Sequence, residues 1–390
     1  MDFRLTEEQE KFKQKVSDFL EEELRQGTFE PDCDAWIASQ SPEFTQKVAQ
    51  RGWIGIMWPK EYGGQGRTYM DRLILTEEML RYGAPCGLHW FADRQIGGSI
   101  LRFGTEEQKK ELLPVILRGE AFVGLGLSEP EAGSDLAALQ TRAVEDGDEF
   151  VINGQKVWTS GGHFMNYIYL VARTDPEAAK HRGISEFLFK TDVPGIDVRP
   201  LVDITRGVHF NEVFFDNVRI PKKSLIGAKN RGFYQILEQL DYERSGMERL
   251  MSNYVLFKNL IKYVKETNRN GKPLCQDSLI RQKLAQLQVE FDVGRLHFYR
   301  VALVMDEGRA PNIEASMAKA YGTAFEQHLA STAIEILGLY GQLVDDSKFV
   351  PMRGKAPYSY LFSQGYCLQA GTSEILRNII AQRGLGLPTQ

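Results

Sequence analysis

The chain has 390 residues, 43% of them hydrophobic and 25% charged. These are ordinary globular proportions, and they exclude a disordered, collagen-like or disulfide-scaffold protein. Forty-seven basic residues against 52 acidic ones leave a net charge of −5, which argues against nucleic acid as a partner; no apolar run is long enough to give a membrane span.

The opening residues, Met1 to Gln14, are charged and lack the apolar core of a signal peptide. The four cysteines (Cys33, Cys86, Cys275, Cys367) are far apart, with no CxxC pair. Together these point to a reducing compartment, the cytoplasm. The six histidines show no metal-ligand spacing, so no metal site is expected.

Residues 1–120 read as helices. Thr6-Glu7-Glu8-Gln9 is a capping-box pattern, followed at helical spacing by Phe12, Val16, Phe19, Leu20 and Leu24. Thr105-Glu106-Glu107-Gln108 repeats the box, and Tyr62 to Gly66 is a Gly-rich turn. From 121 to 227 the pattern changes to short runs rich in Val, Ile, Phe and Tyr: Phe150 to Ile152, Tyr167 to Val171, Phe187 to Phe189 and Glu212 to Phe215. Asn153-Gly154 and Pro194-Gly195 read as turns that bound them. Helical periodicity returns over 228–390, interrupted near Asn268 to Gly271, at Ala310-Pro311 and between Gly338 and Pro357. The order helical, β, helical is α+β rather than alternating α/β.

Gly124-Leu125-Gly126 lacks the strand, spacing and acidic residue of a dinucleotide fingerprint. Three longer strings are more specific: Leu127-Ser128-Glu129-Pro130-Glu131-Ala132-Gly133-Ser134-Asp135, then Asn153 to Gly162, then Ala370-Gly371-Thr372-Ser373-Glu374 and the helix-like run after it. In this order, over this length, the chain resembles the flavin-dependent acyl-CoA dehydrogenase family. The resemblance implies an N-terminal helical domain (1–120), a middle β-barrel domain (121–227) and a C-terminal four-helix bundle (228–390). It implies bound FAD, an acyl-CoA substrate, a tetramer, and electrons passed to an electron-transferring flavoprotein. The implied reaction removes an α-proton with a carboxylate while the β-hydrogen leaves as hydride to the flavin.

By the same resemblance, Leu127 and Ser128 meet the flavin pyrimidine edge, and polarising that edge stabilises the reduced ring. Trp158 lies beside the ring, Ser160 near its reactive nitrogen, and Thr372 and Glu374 at further flavin contacts. Ser134 and Arg244 match positions near the CoA. Taken singly, the serines read as turn caps and the tryptophan as core packing.

The chain departs from many relatives at Ala370, where a catalytic glutamate stands before Gly-Thr in the family pattern. Alanine holds no proton, although its backbone N–H can still polarise the thioester carbonyl. A second base position exists in the family, within a D-x-E-R string, matched here by Asp241-Tyr242-Glu243-Arg244. Ile236, Leu240, Glu243, Met247, Leu250 and Tyr254, spaced 4, 3, 4, 3 and 4 apart, predict one apolar helix face interrupted by Glu243. Burial there would raise the carboxyl's pKa, which suits an α-proton base.

At the outer flavin site, Thr267, Asn270 and Ser278 stand where the family pattern has arginine, phenylalanine and glutamine, and Glu335 where it has glutamine. That weakness resembles catalytic subunits of heteromeric members, so both a homotetramer and a heterotetramer are expected forms. A catalytically degenerate subunit that binds or stabilises without turnover is the non-enzymatic alternative.

Overall fold

The computed structural model describes residues 2–243, 245–344 and 347–388, without the side chains of 240–243. In chain order its helices are α1 (Glu7–Gln26), α2 (Pro42–Gln50), α3 (Tyr69–Arg81), α4 (Gly87–Phe91), α5 (Gly97–Phe103) and α6 (Glu106–Leu117). After the strands come α7 (Gly232–Glu243), α8 (Glu248–Met251), α9 (Tyr254–Glu266), α10 (Ser278–Asp306), α11 (Asn312–Leu337), α12 (Lys355–Phe362) and α13 (Ser373–Ile379). The chain divides into two compact units, a helical one of Met1–Ala35, Thr68–Ala84 and Arg244–Gln390, and a sheet one of Trp36–Arg67 and Pro85–Glu243.

In the helical unit, α1 starts at the expected capping box: Thr6 Oγ1 accepts from Gln9 N at 3.2 Å and Gln9 Oε1 accepts from Thr6 N at 2.9 Å. Its apolar stripe, Phe12, Val16, Phe19 and Leu20, is buried. A box not anticipated from the sequence, Thr68 with Asp71, starts α3. The same helix end is closed from far away, because Asp306 at the end of α10 accepts from Tyr69 N at 2.7 Å and Met70 N at 3.2 Å. Midway along, Glu77 binds Arg295 Nε at 2.7 Å and Tyr299 Oη at 2.9 Å. Gly322 lets α11 approach α8 closely, since a Cβ there would meet the Arg249 carbonyl at 2.4 Å.

The sheet unit is built on β1 (Val123–Gly126), β2 (Arg142–Asp146), β3 (Glu149–Ser160), β4 (Tyr167–Arg173), β5 (Ile184–Lys190), β6 (Ile196–Val202), β7 (Val208–Pro221) and β8 (Leu225–Ile226). They form one eight-stranded sheet in the order β6-β7-β3-β2-β4-β5-β8, with β1 joined in parallel to β4. Inward residues of strands from β2 to β7 share a single core, from Ala143 and Phe150 to Phe187, Val213 and Ile220. A sheet whose alternate residues all converge on one core is curled, as a barrel requires.

Two local expectations are corrected. Asn153-Gly154 is no bounding turn. It lies inside β3 at a register shift, with Gly154 at φ +147° and its missing Cβ opposite Thr141. The strand tolerates the pair because glycine admits the kink and the close approach of a neighbouring segment. The single helix expected from Ile236 to Tyr254 is interrupted: α7 ends with Glu243 and helix resumes at Glu248. Ser245 and Gly246 between them are weak helix formers, and the Gly246 carbonyl accepts from Arg249 N at 3.2 Å in a tight turn.

Candidate active site

The sheet unit brings together the flavin-edge residues. β1 leads directly into Leu127 and Ser128, both half-buried. Gly124 is required on the way, since a Cβ would meet Met165 Sδ at 2.4 Å and Thr159 Cγ2 at 3.1 Å. The Ser128 carbonyl accepts from Val157 N at 2.9 Å, which ties this segment to β3. There β3 carries an extra residue between Lys156 and Thr159 relative to β7. Trp158 sits in that bulge at φ +62° with 59% of its surface exposed. A left-handed backbone is unfavourable for a bulky residue, and the bulge turns the indole out of the sheet. Phe210 meets it edge-on, with ring centroids 5.9 Å apart.

Two residues on, Ser160 pairs with Phe210 across the sheet. It lines a small cleft with Gln40, Leu88, Phe91, Phe122 and Phe164. The residues are mostly aromatic or aliphatic, and Gln40 and Ser160 bring polar side chains to it. Ser134 stands apart from this group, exposed on a bend beside the Asp135–Lys180 ion pair. His89 is buried against Thr45, its ring nitrogen 3.0 Å from the hydroxyl. Burial, with Arg94 nearby, pushes its pKa down to about 3, so it packs as a neutral ring.

The helical unit carries the other predicted residues. Ala370 and Gly371 take left-handed conformations, φ +53° and +92°, and Thr372 then caps α13, its hydroxyl accepting from Ile375 N at 3.3 Å. Glu374 is in the first turn of α13. Its own backbone N–H and the Thr372 hydroxyl hold its carboxyl below the ordinary value. The side chain of Glu243, and Arg244 altogether, lie outside the described residues.

Sequence reasoning missed what holds that loop. Lys319 on α11 is fully buried, and its ammonium donates to the carbonyls of Gly371 at 2.9 Å and Tyr366 at 3.3 Å. The Tyr366 hydroxyl donates to Asp34, also fully buried. Glu326, two turns along α11 from Lys319, accepts from Asn253 Nδ2 at 2.7 Å. Burial first, with Asp32 adding to it, raises Asp34 to about 8 against the Tyr366 hydrogen bond. Burial and Asp34 raise Glu326 as well. Lys319, Thr323 and Glu326 recur at i, i+4 and i+7 on a buried face, and that spacing was the available signal.

At the outer site, Thr267 follows α9, and Asn270-Gly271 make a left-handed two-residue turn between short paired strands. Arg269 donates to the Ile336 carbonyl at 2.7 Å, and Glu335 is paired with Lys283. Ser278 begins α10, capped by Asp277. Among the described residues no cluster of three or more potential metal ligands occurs, and no helix is long and apolar enough to cross a membrane.

Family models for the N-terminal, middle and C-terminal domains of acyl-CoA dehydrogenases match residues 6–120, 124–218 and 230–385. The acyl-CoA dehydrogenase FadE26 of Mycobacterium tuberculosis is 33% identical over 354 residues, 89% of this chain and 88% of that one. The chain belongs to the acyl-CoA dehydrogenase family. It has that family's three-domain fold, and it is an oxidoreductase whose cofactor is FAD. Two solved structures are similar to this acyl-CoA dehydrogenase over their whole lengths. The Tcur3481-Tcur3483 steroid ACAD has a TM-score of 0.90 at 30% identity, covering 100% of both chains. The ChsE4-ChsE5 complex from Mycobacterium tuberculosis has a TM-score of 0.88 at 30% identity, again covering 100% of both. The sheet-unit residues fit a flavin: an outward indole on a bulge, the half-buried serines Ser128 and Ser160, and a small cleft beside Ser160.

Proposed function

We propose that this enzyme converts an acyl-CoA thioester to its trans-2-enoyl-CoA, with Glu243 as the α-proton base. The observation that carries the reading is the convergence of Leu127, Ser128, Trp158 and Ser160 around one bulge of β3. Bound FAD supplies the acceptor for the substrate's β-hydride. Ser128, Ser160, Trp158, Thr372 and Glu374 hold it, with Leu127 contributing backbone. Ala370 presents its N–H to the thioester carbonyl, and Ser134 and Arg244 contact the CoA. The substrate's acyl group is ring-bearing, in keeping with a similar structure described as a steroid ACAD. Electrons then pass to an electron-transferring flavoprotein in the cytoplasm, a setting that suits four free cysteines.

The departures at Thr267, Asn270 and Ser278, and the commitment of Glu335 to Lys283, favour a heterotetramer in which a second kind of chain completes the outer flavin contacts. Two similar structures carry paired names. A chain that alone forms an FAD-retaining tetramer, measured by native mass and flavin content, would overturn this and establish the homotetramer.

The test of the reaction is anaerobic mixing of FAD-loaded protein with straight, branched and ring-bearing acyl-CoAs, read at the flavin band near about 450 nm. Ring-bearing thioesters are expected to bleach it. Glu243→Gln should slow bleaching by about 10²–10⁴-fold, the worth of a positioned base. Equal bleaching by that variant removes Glu243 from the mechanism, and a flavin untouched by every thioester removes the reaction.

A further inference from the structure

Lys156 is fully buried on β3, immediately before the bulge that presents Trp158. Its ammonium donates to the Leu127 carbonyl at 2.9 Å and to Glu129 Oε1 at 2.8 Å. Glu129, buried in turn, accepts from Thr141 N at 2.9 Å and Gln140 N at 2.6 Å. Its own backbone closes a tight turn with Ala132, with N–H···O distances of 2.9 and 3.1 Å. The two charges therefore gather 127–129, 132, 140–141 and 156–157 into one knot, in which both groups are satisfied.

A buried ion pair is seldom the most stable filling for such a space, because desolvation offsets most of its attraction and an apolar pair of similar size often does as well. What the pair does provide is geometry. A charge-assisted bond fixes both length and direction, and here one runs to the carbonyl of Leu127. Its neighbour Val157 makes the parallel bond to the Ser128 carbonyl at 2.9 Å. Between them, two successive residues of β3 grip two successive residues of the segment after β1. The residue after Val157 is Trp158, held in a backbone conformation that a tryptophan does not choose by itself. The separation between the polar edge and the aromatic wall of the flavin site is therefore set by Lys156, and the length of Lys156 is set by Glu129.

We propose that Glu129 and Lys156 are a positioning pair for FAD, holding Leu127–Ser128 at the working distance from Trp158 without touching the cofactor. The inference rests on the flavin reading of those residues. Its test is FAD affinity, measured by fluorescence titration of the apoprotein, with the visible spectrum and melting temperature recorded alongside. The double variant Glu129→Gln/Lys156→Met leaves no buried charge and should melt near the wild type. It is expected to bind FAD about ten-fold more weakly, the worth of one charge-assisted hydrogen bond, with an altered flavin band. Glu129→Asp keeps both charges while withdrawing the carboxylate, so it remains informative if the double variant fails to fold. It should weaken FAD by roughly three-fold, part of that same bond. Wild-type affinity and spectrum in either folded variant overturn the proposal. Failure of the wild-type apoprotein to take up FAD both alone and assembled with a second chain overturns the flavin reading instead, which keeps the two apart.

Discussion

Two buried clusters, one in each compact unit, handle charge in opposite ways. In the sheet unit, Glu129 and Lys156 stay ionised and answer each other. Burial pushes Glu129 up, but the Lys156 charge and hydrogen bonds, with those from Gln140 and Thr141, outweigh it and leave the carboxyl below its ordinary value. Burial also lowers Lys156, to about 8, against the pull of Glu129. In the helical unit, burial instead raises Asp34, to about 8, and Glu326, which favours the neutral acid at both. Pairing fixes a distance, whereas neutralisation tolerates an acid in a core without fixing one. The former is found where the proposed cofactor geometry is tight, the latter behind the Ala370–Thr372 loop.

The largest effect should come from breaking the pair on one side only. Lys156→Met leaves Glu129 buried and unanswered, and should destabilise by about 3–5 kcal/mol. Denaturant melts that show less than a third of this would mean Glu129 takes up a proton as readily as Asp34 does, and the contrast would vanish. Next comes Asp34→Asn, which retains an acceptor for Tyr366. Asp34 is raised in the fold to about 8. Its unfolded form therefore ionises first, and stability is lost as pH rises from about 4 to about 8. The variant should equal the wild type at pH 4 and exceed it at pH 8 by about 1–3 kcal/mol. A melting curve against pH with unchanged slope would show that Asp34 is ionised in the fold.

The acid limb has the opposite sign. Glu129 is lowered in the fold, so its contribution is present above its unfolded value of 4.5 and is lost as pH falls through the folded one. FAD release on acidification should start earlier in Glu129→Asp than in the wild type. The smallest effect is Thr372→Ala, which removes the α13 cap at a cost of about 1 kcal/mol. If the hydroxyl also serves the flavin, FAD affinity falls more than the melting temperature accounts for.

Much of this was legible in the residues. The boxes at Thr6 and Thr105 start helices, and the aliphatic and aromatic runs are strands, because capping and local enrichment in β-branched and aromatic residues are local facts. The bulge was not, because a tryptophan at positive φ is imposed by partners in β7 and in the segment after β1. The helical spacing from Ile236 to Tyr254 concealed the interruption between α7 and α8, since the weak helix formers Ser245 and Gly246 do not change the count. The cluster behind the Ala370 loop was only partly legible: the spacing of Lys319, Thr323 and Glu326 was there to read on α11, but Asp34 meets a hydroxyl 332 residues away.

The distance between Tyr69 and its acceptor Asp306 also bears on how the enzyme is made. That contact spans 237 residues, which a ribosome takes about 10–50 s to traverse. Throughout that interval α1 and α3, which pack on each other, are already made while α10, which packs on α3, does not yet exist. The sheet unit, complete once Glu243 emerges, can close first. The helical unit therefore closes last, at a moment timed by the emergence of α10.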